Sequence, residues 1–233
     1  NDLSTIDKTF GFDTAIAEAA SVIECAHVEA KGAPNGVGLV KIMGRTSGHI
    51  AVSAALANND VNFVLIPESP FDLHGEKGFL AVLERRLKAS NHAVIITAEG
   101  AGQEHRPSDD AAGTDPSGNV RLFDIGVFLK EEIERYFKEK NMELNLKYID
   151  PSYIIRSVPA NAGDSIYCML LGQYAVHAAM AGRTAMVVGL YGGDYVHLPL
   201  SAVTSRKKVD INGTLWRATL AATGQPAVMR NES

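Results

Sequence analysis

An arginine stands where an anion could be held. In residues 39–51 (LVKIMGRTSGHIA) an apolar, strand-like run ends at Met43-Gly44-Arg45 and turns through Thr46-Ser47-Gly48 into a helix-like run. Free amides at a helix start and a guanidinium fork both suit a phosphate or a carboxylate. Gly44 would let the backbone approach such a ligand closely. Read alone, a loop arginine serves equally well as a surface ion-pair partner.

Glu99 closes a second apolar run, beginning HAVIIT. It reads either as a cap for the next element or as a carboxylate accepting hydrogen bonds from a substrate's hydroxyls. Further on, Lys147, Tyr153 and Arg156 flank a bend at Asp150-Pro151. With a strand period of two, Lys147 and Tyr148 face opposite ways, so one of them leaves the core. Tyr153 and Arg156, three apart, share a face if the backbone turns there. Two cations and a phenol converging near Arg45 would make a phosphate pocket. Taken singly, Lys147 is a solvated edge charge, Tyr153 a core aromatic and Arg156 half of a surface ion pair.

The elements that must position these residues alternate between helical periodicity and short β-branched runs, the pattern of an α/β layered fold. Helices are expected over 12–30, with Asp13 a possible cap, and over 49–57, 77–88, 124–140 and 165–181. Strands are expected over 36–43, 62–67, 92–97, 144–149 and 184–189. Residues 100–119, rich in Gly, Asp, Pro and Ser, predict a long mobile loop, and 150–163 an irregular segment. Ligands of open α/β sheets collect at the carboxyl ends of the strands. Arg45, Glu68, Glu99 and 150–156 all lie just past such ends.

Composition narrows the classes. The chain has 233 residues, 46% of them hydrophobic, with a net charge of −5 and no basic run. That length suits one large domain or one and a half, and the charge argues against a nucleic-acid partner. No apolar run is long enough for a membrane span. The opening, residues 1–9, is polar, lacks Met and reads as mid-sequence, so a fragment without a signal peptide is expected. Cys25 and Cys168 lie in apolar helical patterns and are expected to be buried, reduced thiols of a cytosolic protein. His49, His177 and His197 read as packed rather than catalytic. There is no H-E-x-x-H, C-x-x-C or G-x-x-x-x-G-K-[ST], and GVGLVK lies before its strand rather than after it.

Several motifs together resemble the phosphofructokinase family. Asn1-Asp2-Leu3 followed by 9–15 (TFGFDTA) resembles the segment around the end of that family's catalytic T-I-D-N-D loop. Met43-Gly44-Arg45 resembles its M-G-R substrate loop. IPESPF, AEGAGQ, KYIDPSYIIRSVPANAGDS and the closing TGQP are similar to the branch holding plant and trypanosomatid ATP enzymes and pyrophosphate-dependent bacterial ones.

The resemblance implies a Rossmann-like αβα fold, with a mostly parallel sheet and helices on both faces. It implies phosphoryl transfer to the 1-hydroxyl of fructose 6-phosphate, with magnesium, in a cytoplasmic homo-oligomer whose sites are shared. ATP is the expected donor and pyrophosphate the alternative. Met43, Gly44 and Arg45 would contact the sugar phosphate and Glu99 the sugar hydroxyls. Tyr153 and Arg156 match a sugar-phosphate Y-x-x-R. Lys147 matches a cation that reaches the 6-phosphate from a neighbouring subunit, and Asp2 an acid near the reacting phosphoryl. Two departures stand out. The proton-accepting Asp of T-I-D-N-D would lie just before Asn1, and Gly36 stands where some members have an arginine. The whole chain, 1–233, thus reads as the acceptor-binding, C-terminal part of such an enzyme. A non-catalytic sugar-phosphate-binding or regulatory subunit of the same fold is the rival.

Overall fold

The computed structural model describes residues 3–107, 113–114, 118, 120–203 and 207–231, apart from the Arg156 side chain. Its centre is a four-stranded parallel sheet in the order β2-β3-β1-β4. The strands are β1 (Gly36–Ile42), β2 (Phe63–Leu65), β3 (His92–Ala98) and β4 (Asn145–Ile149). Strands covered on both faces must be apolar throughout, and β1 and β3 are so except at Lys41, His92 and Thr97.

Alternate residues of β1 and β3 serve two cores. Val40, Ile42, Val94 and Ile96 pack with α1 (Phe12–Lys31), α2 (His49–Ala57) and α7 (Thr214–Thr223). Val37, Leu39 and Ile95 pack with α3 (Phe79–Ser90) and α4 (Ile125–Glu139). The expected layering, helices on both faces of a mostly parallel sheet, is the architecture found. Ala15, Ala19, Ile23, Ala26 and Ala30 form the buried stripe of α1. Under that stripe only glycine fits: a Cβ on Gly36 would lie 1.9 Å from the Ala30 carbonyl oxygen.

Three differences from the sequence reading have physical causes. Asp13 does not cap α1; Gly11 holds the N-cap position, and the capping carboxylate is that of Asp164, in the first turn of α6 (Ala162–Met180). The segment after Pro151 is not wholly irregular, because α5 (Ser152–Ser157) forms one short turn of helix there. The fifth strand, β5 (Met186–Tyr191), does not join the parallel sheet but forms an antiparallel hairpin with β6 (Asp194–Pro199).

Both cysteines are exposed, not buried. Cys25 lies beside Glu24 on the outer side of α1. Cys168 lies on α6, whose apolar residues Ile166, Met169 and Val176 are also exposed. Apolar helical composition therefore did not mean burial there. His49 is buried against Ser47, at 2.7 Å, whereas His177 and His197 are exposed. The otherwise open edge of β2 is covered by Gln225 of the closing TGQP. Its side chain accepts from the Val64 amide at 2.6 Å and donates to the Val64 carbonyl at 3.3 Å.

Candidate functional site

Because the four strands are parallel, their carboxyl ends lie on one edge and bring Met43, Glu68, Glu99 and Asp150 to the same side of the sheet. The β1 and β3 ends are bound to each other beyond the ladder. Glu99 donates its amide to the Ile42 carbonyl at 2.9 Å, and Gly100 donates to the Gly44 carbonyl at 3.0 Å. The fit is tight enough that a Cβ on Gly100 would lie 1.9 Å from the Arg45 carbonyl oxygen. Gly44 itself has φ 145°, where a side chain would also meet the Ser47 carbonyl at 2.6 Å. Met43 is half-buried against the α1–α2 core.

Arg45 and Glu99 share a small cleft of about 240 Å³ with Lys41, Arg121, Leu122, Phe123 and Asp124. The Arg45 guanidinium donates to the Val120 carbonyl at 2.7 Å. Half-buried Glu99 has no hydrogen bond or ion pair from its carboxylate among the described residues. Neither Arg45 nor Arg121 is in an ion pair among them. The cleft thus offers cations and an unengaged acceptor to a ligand carrying both phosphate and hydroxyls.

Gln103 secures the cleft's far wall. Its side-chain oxygen accepts from the Phe123 amide at 3.0 Å, and its Nε2 donates to the Phe123 carbonyl at 3.1 Å and the Glu99 carbonyl at 3.3 Å. Within the expected loop over 100–119, Gln103–His105 form a 3-10 turn and Thr114 bridges to Val120. Residues 108–112, 115–117 and 119 lie outside the described residues.

The amide at the N-cap of α2 is engaged from within the protein. The Glu68 carboxylate takes the Gly48 amide, at 3.1 and 3.0 Å, and also accepts from Val209 at 2.8 Å. The protein's own acid fills the place where free helix amides were expected.

Lys41, the cation inside β1, is largely buried. Its ammonium contacts both Asp124 oxygens, at 3.1 and 3.0 Å, and Asp150 at 2.9 Å. Burial alone would make this lysine easier to deprotonate. The bonds to Asp150 and Asp124 outweigh that and hold its pKa well above the ordinary lysine range. At Asp150 burial pushes the carboxyl up, while Ser152 and Lys41 pull it further down, for a net lowering.

Lys147 and Tyr153 do not line this cleft. Lys147 pairs in register with Gly38, mid-strand, and lies 4.0 Å from Glu29 of α1. Tyr148 takes the inward place, packing toward α4. Tyr153, on α5, is 87% exposed, so it is no core aromatic. No hydrogen bond or ion pair joins Lys147 or Tyr153 to Arg45. Arg156 lies on α5 and its side chain is outside the described residues, as is all of Asp2. Sequence reading missed Lys41, Gln103, Arg121 and Asp124. Lys41 had a legible signal, a single charge inside an otherwise apolar strand.

Known proteins resemble this chain in sequence and in fold. A family model described as phosphofructokinase matches residues 1–179. An ATP-dependent 6-phosphofructokinase of Borreliella burgdorferi is 53% identical over 241 residues, covering 99% of this chain and 53% of that protein. ATP-dependent 6-phosphofructokinase 7 of Arabidopsis thaliana is 49% identical, with 98% of this chain and 48% of that protein covered. The chain thus spans about half the length of the curated relatives it matches. A pyrophosphate-dependent phosphofructokinase from Marinobacter aquaeolei has the same fold, with a TM-score of 0.71 at 22% identity over 96% of this chain and 57% of that one. This chain belongs to the phosphofructokinase family.

Proposed function

We propose that the protein carrying this chain transfers a phosphoryl group to the 1-hydroxyl of fructose 6-phosphate, giving fructose 1,6-bisphosphate in glycolysis. The observation that carries the reading is the cleft in which the unengaged Glu99 carboxylate stands with Arg45 and Arg121 in a chain of this family. Glu99 would accept hydrogen bonds from the sugar hydroxyls, and Met43, Gly44 and Arg45 would contact the sugar phosphate. Tyr153 and Arg156 would complete the phosphate contacts from α5. The solvent-facing Lys147 suits a role toward a neighbouring subunit in a homo-oligomer. Asp2 is assigned beside the transferring phosphoryl. Such reactions rest on positioning and on neutralising charge rather than on covalent chemistry.

ATP is the proposed donor, because relatives named ATP-dependent are 43–53% identical over nearly the whole of this chain. Magnesium has no cage of its own here: among the described residues no three or more His, Cys, Asp or Glu are grouped to hold a metal. It would arrive with the donor's phosphates, as magnesium commonly does. A cytoplasmic setting is proposed with these roles. Among the described residues no helix is long and apolar enough to cross a membrane.

The test is a coupled assay of fructose 1,6-bisphosphate formation with ATP or pyrophosphate as donor, beside calorimetry with fructose 6-phosphate, glucose 6-phosphate and fructose. Turnover with ATP and selective binding of fructose 6-phosphate support the reading. Turnover with pyrophosphate alone reassigns the donor. A folded protein that binds no fructose 6-phosphate overturns the reading altogether.

A further inference from the structure

Lys41 has no place in the proposed chemistry, yet it sits in the wall of the cleft and its ammonium ties β1 to the starts of α4 and α5. Asp124, one of its partners, is the N-cap of α4, accepting from Gly126 at 3.1 Å and Val127 at 3.2 Å. Asp150, the other, accepts from the Ser152 amide at 3.2 Å and the Ser152 hydroxyl at 2.5 Å, and so begins α5. Lys41 itself is held in β1 by the ladder, with Thr97 as its partner on β3, four residues before Arg45. The ammonium is therefore the common point of β1, the start of α4 and the start of α5.

We propose that Lys41 is a positioning residue for the sugar-phosphate site: its ammonium fixes the start of α5, and with it Tyr153 and Arg156, relative to Arg45 and Glu99. This inference rests on the function proposed above. Two features make the tie specific rather than a generic surface ion pair. The lysine side chain is only 12% exposed while Asp150 and Asp124 are 38% and 49% exposed, so the attraction is screened less than between two surface charges. α5 is a six-residue helix with no side-chain cap of its own; Ile155 anchors its middle in the core shared with α1, and the Lys41–Asp150 tie acts at its start. Lys41 has a second effect at the same point. It offsets one of the two carboxylate charges that would otherwise repel a phosphate entering beside them. An arginine there could keep both bonds, whereas a methionine would fill the volume and lose them.

The experiment uses the native protein that carries this chain, as wild type, Lys41→Met, Lys41→Arg, Asp150→Asn and the Lys41→Met/Asp150→Asn double variant. Two readouts are taken: hydrogen exchange of the α5 amides, and steady-state kinetics against fructose 6-phosphate and against the donor. The expected result for Lys41→Met is at least tenfold faster exchange in α5. Its KM for fructose 6-phosphate should rise about tenfold, with the donor KM within about twofold of wild type. Lys41→Arg should recover most of both effects. The double variant should be no worse than the more impaired single one.

Unchanged α5 exchange and unchanged sugar KM in folded Lys41→Met overturn the proposal. So does a uniform loss of kcat without a change in sugar KM. If Lys41→Met fails to fold, Asp150→Asn cuts the same tie from the other end and must give the same pattern. A wild-type protein inert toward fructose 6-phosphate would instead sink the proposed function, while the exchange measurement still decides whether Lys41 holds α5.

Discussion

Asp164 and Thr14, 150 positions apart, are joined by two bonds to one carboxylate oxygen: the Thr14 amide donates at 2.7 Å and its hydroxyl at 2.6 Å. The other oxygen accepts from Gly11 at 2.9 Å. A fully buried acid of α6 thus supplies the cap that α1 lacks. Burial pushes this carboxyl up, but the bonds from Thr14 and Gly11 outweigh it and the net pKa is lowered. A depressed folded pKa gives stability that is full above the unfolded value and is lost as pH falls through the folded one. Asp164→Ala should cost about 2–3 kcal/mol at neutral pH, read from urea unfolding. The gap from wild type should narrow as pH drops below the ordinary carboxylate range. A pH-independent gap would show that the charge is not what matters.

Glu68 occupies the N-terminus of α2 through the Gly48 amide and also holds Val209. Glu68→Ala should destabilise by about 1–2 kcal/mol. It should also free the helix start for a solution anion. Inorganic phosphate should therefore raise the melting temperature of the variant more than that of wild type. Equal shifts would refute this account of the Gly48 amide.

Gly100 tests whether the two loops are truly locked. Gly100→Ala places a Cβ against the Arg45 carbonyl, a backbone atom that cannot swing aside. The expected cost is about 1–3 kcal/mol. The loss of fructose 6-phosphate affinity measured by calorimetry should be at least about tenfold, since one factor of ten is only about 1.4 kcal/mol. A stable Gly100→Ala protein with unaltered affinity would mean the apposition is incidental.

Glu99 should behave in the opposite way. Its carboxylate engages nothing among the described residues, so Glu99→Gln should leave stability within about 0.5 kcal/mol of wild type. Affinity for fructose 6-phosphate should fall by about tenfold or more, because a charged acceptor is exchanged for a weaker amide. Comparable binding by the two proteins in calorimetry would remove Glu99 from the proposed sugar site.

How much of this was legible in the sequence depends on what each feature needed. β1, β3 and α4 were readable because their burial patterns are local: continuous apolar runs for the buried strands, and an amphipathic stripe behind Asp124 for the helix. β6 and α7 were not read, and α5 hid behind Pro151. The exposed Cys25 and Cys168 show the limit of composition, since neighbouring apolar residues did not reveal which side of α1 or α6 faces out. Parallel order alone was enough to bring Arg45 and Glu99 to one edge. The Lys41–Asp124–Asp150 cluster and the Glu68 plug depend on residues up to 141 positions apart. No spacing rule reaches across such separations.

The backbone-to-backbone contact of Gly100 with Arg45 also bears on how such a site can evolve. The separation of the guanidinium's anchor from the carboxylate's is written in the strand register, Ile42 beside Ala98. Point substitutions around the rim can retune charge or bulk, but none of them changes that ruler. Accepting a longer or shorter ligand would require inserting or deleting a residue in a buried strand, which would turn every following side chain to the opposite core.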